Sequence, residues 1–170
     1  MKKKISLLLV TLVLCLNTFS TYSQSSNKIG KFKDWESRWM FDNDRKICFI
    51  YSTPKKSEPS NVKRGDIALL VTHRPGEGIS NEVNVQTGYQ YMSESEVTAS
   101  IGSKKFILFT QGDAAWLKKP ADDKQMVKMM KKGSSMTIVG LSSRGTTTKD
   151  KYSLMGFTKA LKSINKECKE

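Results

Sequence analysis

SSRGTTTKDKYSLMGFTKALKSINKEC, residues 142–168, decides the architecture of this chain. It runs as a turn, a strand, a capped amphipathic helix and a cysteine just past the helix end. The Ser, Arg and Gly cluster at 142–145 is turn chemistry, and 146–152 predicts a strand. Ser153 is placed to cap the helix that follows. Leu154, Phe157, Leu161 and Ile164 recur at i, i+3, i+7 and i+10, which is one face of a helix over about 154–166. Lys159, Lys162 and Lys166 lie off that face. Four large apolar side chains on one stripe must be buried, and full burial is worth about 1.5–3 kcal/mol each.

The other end of the chain sets its compartment. Lys2, Lys3 and Lys4 precede an apolar run over residues 5–16, interrupted only by Ser6, Thr11 and Cys15. Residues 17–23 are small and polar, and Thr21-Tyr22-Ser23 fits a small-x-small cleavage site before Gln24. The pattern is that of a cleaved export signal over residues 1–23. The apolar core is too short to anchor in a bilayer, and no later stretch predicts a transmembrane anchor. Cys15 follows Leu14, where a lipoprotein signal needs a small residue, so it is expected to leave with the signal. Cys48 and Cys168 then remain. In an exported chain an even pair is expected to be bridged. A loop that long would stabilise by roughly 4–5 kcal/mol on the chain-entropy account.

Without residues 1–23 the net charge falls from +13 to +10, because Lys2, Lys3 and Lys4 go with them. Attraction to an anionic surface is one consequence. The other is a solvated lysine face with no partner, since 24 of the 29 basic residues are lysine and they are scattered. The densest cluster is Lys55, Lys56, Lys63 and Arg64, in the Pro-bearing loop PKKSEPSNVKR (54–64). No aromatics accompany it, so nucleic acid is not expected as a partner. Arg144, in the turn at 142–145, is a further candidate contact.

Residues 24–30 are Ser/Asn-rich and predict a loose N-terminal arm, leaving 31–170 as one β-rich domain. KFKDWESRWMFD (31–42) and ICFIYST (47–53) predict a strand hairpin across Asp42-Asn43-Asp44. IALLVT (67–72) is a buried strand by its continuous apolar run. Val83 and Val85 alternate with polar neighbours, as do Val97, Ala99 and Ile101. Gly102-Ser103 turns that last strand into KFILFT (105–110). PADDKQMVKMMKK (120–132) starts acidic and ends basic, which favours a helix over about 121–132 stopped by Gly133. Its Met126, Val127, Met129 and Met130 stripe either packs on a sheet or forms an adaptable partner groove. The expected fold is mainly β: an antiparallel β-sandwich or open barrel of about 8–10 short strands, with two late helices.

No catalytic signature emerges. His73 is the sole histidine and G-x-S-x-G is absent, so a hydrolase rests on His73 alone, which as a strand-end residue is expected to hydrogen-bond a loop. Two cysteines and one histidine have no zinc-ligand spacing. No Gly-rich loop joins a strand to a helix, so no nucleotide cofactor is implied. Arg64-Gly65-Asp66 spells a tripeptide of cell-adhesion ligands, but functional display needs an exposed loop tip.

Taken together, FKDWE (32–36), CFIYSTPKKSEP (48–59), THRP (72–75), GSKKFILFTQGDAAWL (102–117), MKKGSSM (130–136) and SSRGTTTKDKYSLMGFTKAL (142–161) resemble the invasion-associated locus B family of exported alphaproteobacterial proteins. The resemblance spans about residues 31–168. It implies a periplasmic, envelope-associated or secreted β-domain in a family named for a link with host-cell invasion. That family has no assigned catalytic residues to transfer. Its members often carry a further cysteine just after the DW motif. Trp39 stands near that position here. The expectation is an exported non-enzymatic protein that binds an anionic envelope component or another envelope or cell-surface protein. A host-cell adhesion or invasion factor, and then an envelope hydrolase, are the alternatives.

Overall fold

The computed structural model describes residues 26–169. The expected export signal and cleavage site, and Cys15, lie outside the described residues. Eleven strands form one open antiparallel sheet. In chain order they are β1 (Asn27–Phe32), β2 (Trp35–Asp42), β3 (Arg45–Ser52), β4 (Lys56–Glu58), β5 (Ala68–Arg74), β6 (Ile79–Gln86), β7 (Glu96–Ile101), β8 (Lys104–Gln111), β9 (Ala114–Trp116), β10 (Ser135–Leu141) and β11 (Thr147–Ser153). Helices α1 (Pro120–Met130) and α2 (Phe157–Glu167) come late. The sheet order is β1-β2-β3-β5-β6-β9-β8-β7-β10-β11-β4. β2 and β11 lie near opposite ends of that order, yet the Trp35 indole Nε1 donates to the Ser153 carbonyl at 3.0 Å. The sheet therefore curls until its ends meet around one core.

Three expectations about the strands need correction. The loose arm at 24–30 is a strand from Asn27, because Ile29 and Phe32 pack on the core and give the segment something to bury. KFKDWESRWMFD is two strands rather than one: Lys33, at φ +53°, starts a tight turn between β1 and β2. Residues 54–64 are not wholly loop either, since β4 pairs with β11.

α2 begins at Phe157, three residues later than its apolar period predicts. Gly156 holds φ +96°, and a Cβ there would sit 1.8 Å from the Phe32 carbonyl oxygen. The chain must pass that close to β1 before it turns helical. Ser153 consequently ends β11 instead of capping the helix, although its Oγ accepts from the Met155 N–H at 3.2 Å. The apolar face is buried as expected, with Phe157 edge-on to Trp35 at 4.9 Å. Cys168, just past α2, is bonded to Cys48 of β3 across a sequence separation of 120, with Cα atoms 6.0 Å apart.

α1 ends at Met130, two residues short of expectation. Gly133 still contributes, donating its N–H to the Met129 carbonyl at 2.9 Å. Met126, Val127 and Met130 are buried, so the methionine stripe is a sheet-packing face. β9 is short and leaves β6 unpaired beyond Asn84 on that side. There the Val83 N–H donates to Asp123 Oδ1 at 2.8 Å, and α1 takes over from the missing strand. Burial pushes the Asp123 carboxyl up to about 6, the nearby Glu82 and Asp122 charges push the same way, and the Val83 bond only partly offsets them. Among the described residues no helix is long and apolar enough to cross a membrane.

Candidate functional site

Three chain segments converge on a cleft of about 350 Å³: residues 62–64, 88–90 and the turn region 142–148. Its foundation is a buried ion pair. Along β11, Thr148, Asp150 and Tyr152 alternate inward. The Arg64 guanidinium reaches Asp150 with two parallel hydrogen bonds, Nη1 to Oδ1 at 2.8 Å and Nη2 to Oδ2 at 2.7 Å. The two side chains are 6% and 1% exposed, so this is an interior contact. Arg64 Nε donates to the Thr87 carbonyl at 2.9 Å, and the guanidinium lies over the Tyr89 ring at 5.0 Å. Burial would lower the Arg64 pKa, but the bonds and charge of Asp150 outweigh it and hold it above the ordinary value.

The segment carrying Arg64 is held by its backbone as well. The Gly65 N–H donates to the Gly88 carbonyl at 2.8 Å. Gly88 sits at φ +70°, and a Cβ there would come within 2.5 Å of the Gly65 oxygen, so the backbones approach this closely only because Gly88 has no side chain. The Tyr89 hydroxyl and Thr148 Oγ1 are 2.7 Å apart. Behind them the Tyr91 and Tyr152 hydroxyls are buried without a hydrogen-bond partner among the described residues. Burial raises the pKa of both, so they stay neutral.

The candidate contacts from the sequence divide. Lys63, Arg64 and Arg144 all line the cleft. Lys63 and Arg144 are exposed and form no ion pair among the described residues. Arg64 is part of the foundation and is not available as a surface contact. Lys55 and Lys56 are elsewhere: Lys56 begins β4 on the edge of β11 and Lys55 just precedes it, its N–H donating to the Lys151 carbonyl, and Lys55 pairs with Asp34 and Lys56 with Glu58. Sequence reasoning missed Gln90, Ser143, Thr146 and the anchor Asp150. The period-2 alternation of Thr148, Asp150 and Tyr152 was the available signal, because it places an acid on an inward position.

His73 lies at the other end of the molecule. It is 6% exposed. Nδ1 accepts the Asn81 N–H at 3.0 Å, so Nε2 carries the proton and donates to Asn165 Oδ1 at 2.8 Å. Both ring nitrogens are thus committed, one to a β6 backbone and one to α2. A second hollow of about 420 Å³ opens beside them, lined by His73, Ile79, Asn81, Asn165, Cys168 and Lys169 among others. Among the described residues no group of three or more His, Cys, Asp or Glu side chains could hold a metal ion.

Comparison with known proteins gives a consistent placement. The sequence model of the family described as "Invasion associated locus B (IalB) protein" matches residues 35–165. Among solved structures, the crystal structure of invasion associated protein B from Bartonella henselae is similar, with a TM-score of 0.57 at 14% identity. The match covers 81% of this chain and 97% of that one. At that identity it supports the fold alone. No curated protein matches the chain.

Proposed function

The chain belongs to the invasion associated locus B (IalB) family, and from that premise we propose that it is an exported, non-enzymatic protein that binds an anionic component of the cell envelope or of a cell surface through the cleft at 62–64, 88–90 and 142–148. The observation that carries this is the pairing of two exposed, uncompensated cations, Lys63 and Arg144, on different walls of one concave site whose floor is held rigid by the Arg64–Asp150 pair. Concave sites with a few fixed polar groups are the usual form of ligand sites, and the net positive charge, which stays at +10 once Lys2, Lys3 and Lys4 are removed with the signal, draws anions toward them.

Catalysis has no comparable support. The bonds to Asn81 and Asn165 occupy both nitrogens of His73, so the ring has no lone pair to accept a nucleophile's proton. Adhesion through Arg64-Gly65-Asp66 lacks support too, because the Arg64 side chain is 6% exposed and bound to Asp150.

The test is retention of the purified chain on immobilised anionic envelope polysaccharide and on anionic vesicles, for the native sequence and for Lys63→Glu with Arg144→Glu. Salt-sensitive binding that the double reversal abolishes, and that Lys55→Glu leaves intact, is expected. Binding indifferent to the cleft reversals, or no binding to either surface, contradicts the proposal.

A further inference from the structure

The chemistry of the cleft narrows the ligand class. Its charge is available only at the rim. The Arg64 fork is consumed by Asp150 and by the Thr87 carbonyl, so an incoming anion cannot recruit it without stranding a buried carboxylate. Several backbone N–H groups around the walls are consumed as well. Gly65 donates to Gly88, Ser142 to Thr146, Ser143 to Gln90 and Gly145 to Ser142, each at 2.8 to 2.9 Å. The turn at 142–146 therefore spends most of its own amides internally.

What remains unspent is of a different kind. The Gln90 amide and the Ser143 and Thr146 hydroxyls line the cleft and make no side-chain hydrogen bond among the described residues. All three both donate and accept. Val62, 36% exposed, adds an apolar patch to the wall that carries Lys63. One ammonium, one guanidinium fork suited to a carboxylate, several groups that both donate and accept, and one apolar spot match a ligand with an isolated carboxylate, many hydroxyls and a C–H face.

We propose that the cleft takes an acidic saccharide, a uronate-type pyranose unit of an oligo- or polysaccharide. Its ring carboxylate lies between Lys63 and Arg144, its hydroxyls meet Gln90, Ser143 and Thr146, and its C–H face rests on Val62. The volume, about 350 Å³, is at the lower end of small-ligand sites. That suits one or two sugar rings, with the open mouth leaving the chain free to continue. This rests on the proposal that the cleft is the binding site.

Calorimetric titration of the full chain tests it, with trigalacturonate, its neutral methyl ester, glucose 6-phosphate and phosphatidylglycerol vesicles as probes. Trigalacturonate is expected to bind about tenfold or more tighter than the ester, the equivalent of one good charged contact. Arg144→Gln should remove that preference. Thr146→Val should weaken acid and ester alike, by severalfold, because it removes a hydroxyl contact and no charge. Equal affinity for acid and ester, or tighter binding of the sugar phosphate, overturns the proposal. Cleft-dependent binding to vesicles without binding of trigalacturonate would defeat this inference and leave the broader binding function standing. Failure of every probe would defeat both.

Discussion

The two ends of this molecule are held by opposite kinds of force. At one end α2 lays Phe157, Leu161 and Ile164 into the core and is fastened by Cys48–Cys168. At the other, the segment at 62–64 is held by a buried guanidinium–carboxylate pair and a Gly–Gly contact, with tyrosine hydroxyls behind. Apolar and covalent fastening is strong, and in the hollow beside it both ring nitrogens of His73 are already bonded. A rim of unspent polar groups on a rigid polar floor contributes less net stability, yet it presents donors, acceptors and charge. The contrast places the fastening at the α2 end and the proposed recognition at the cleft end.

Removing the bridge is the largest way to break that contrast. The double substitution Cys48→Ala and Cys168→Ala should cost about 4 kcal/mol in urea unfolding, with ligand retention unchanged at temperatures where the variant stays folded. A loss of binding in the folded variant would mean that the ends are not independent. Next, Arg64→Met should cost about 3–4 kcal/mol, because it leaves Asp150 buried and uncompensated. Adding Asp150→Leu should recover most of that loss. If the single and double variants are equally unstable, the pair is not what holds the cleft wall.

The distribution of legible and illegible features follows from the same contrast. The α2 face shows in the sequence as an apolar period, and the bridge follows from counting the cysteines that lie beyond the expected signal. The cleft depends on Arg64 and Asp150, 86 positions apart, and nothing local connects them. The lysine cluster at 54–64 misled because linear proximity is not spatial proximity. Pairing of β4 with β11 pulls Lys55 and Lys56 along the sheet edge, while Arg64 turns inward and leaves Lys63 at the cleft. β1 was missed because an edge strand with only Ile29 and Phe32 to bury carries almost no alternation. β4, three residues long and flanked by Pro54 and Pro59, carries less still.

Smaller effects sharpen the contrast. Asp123 titrates near 6 when folded, above its usual 3.8. A carboxyl raised in this way adds stability fully below pH 4, and that stability is lost as pH rises through about 6. Asp123→Asn keeps an acceptor for the Val83 N–H and removes the buried charge. It should therefore raise stability by about 1–2 kcal/mol at pH 7.5, with the two proteins converging near pH 4 in thermal melts. A variant less stable than the native chain at neutral pH would show that the ionised carboxylate matters more than its desolvation. The smallest stability effect belongs to the cleft rim. Lys63→Glu with Arg144→Glu should shift unfolding by no more than about 0.5 kcal/mol, as exposed unpaired positions do, while ligand retention is abolished.

The most direct test of recognition at the cleft end is the amide ¹H–¹⁵N spectrum of the chain during titration with trigalacturonate. Shifts confined to residues 62–64, 88–90 and 142–148, with His73, Asn165 and Cys168 unmoved, are the predicted result. Shifts centred on His73 and the α2 end would contradict it.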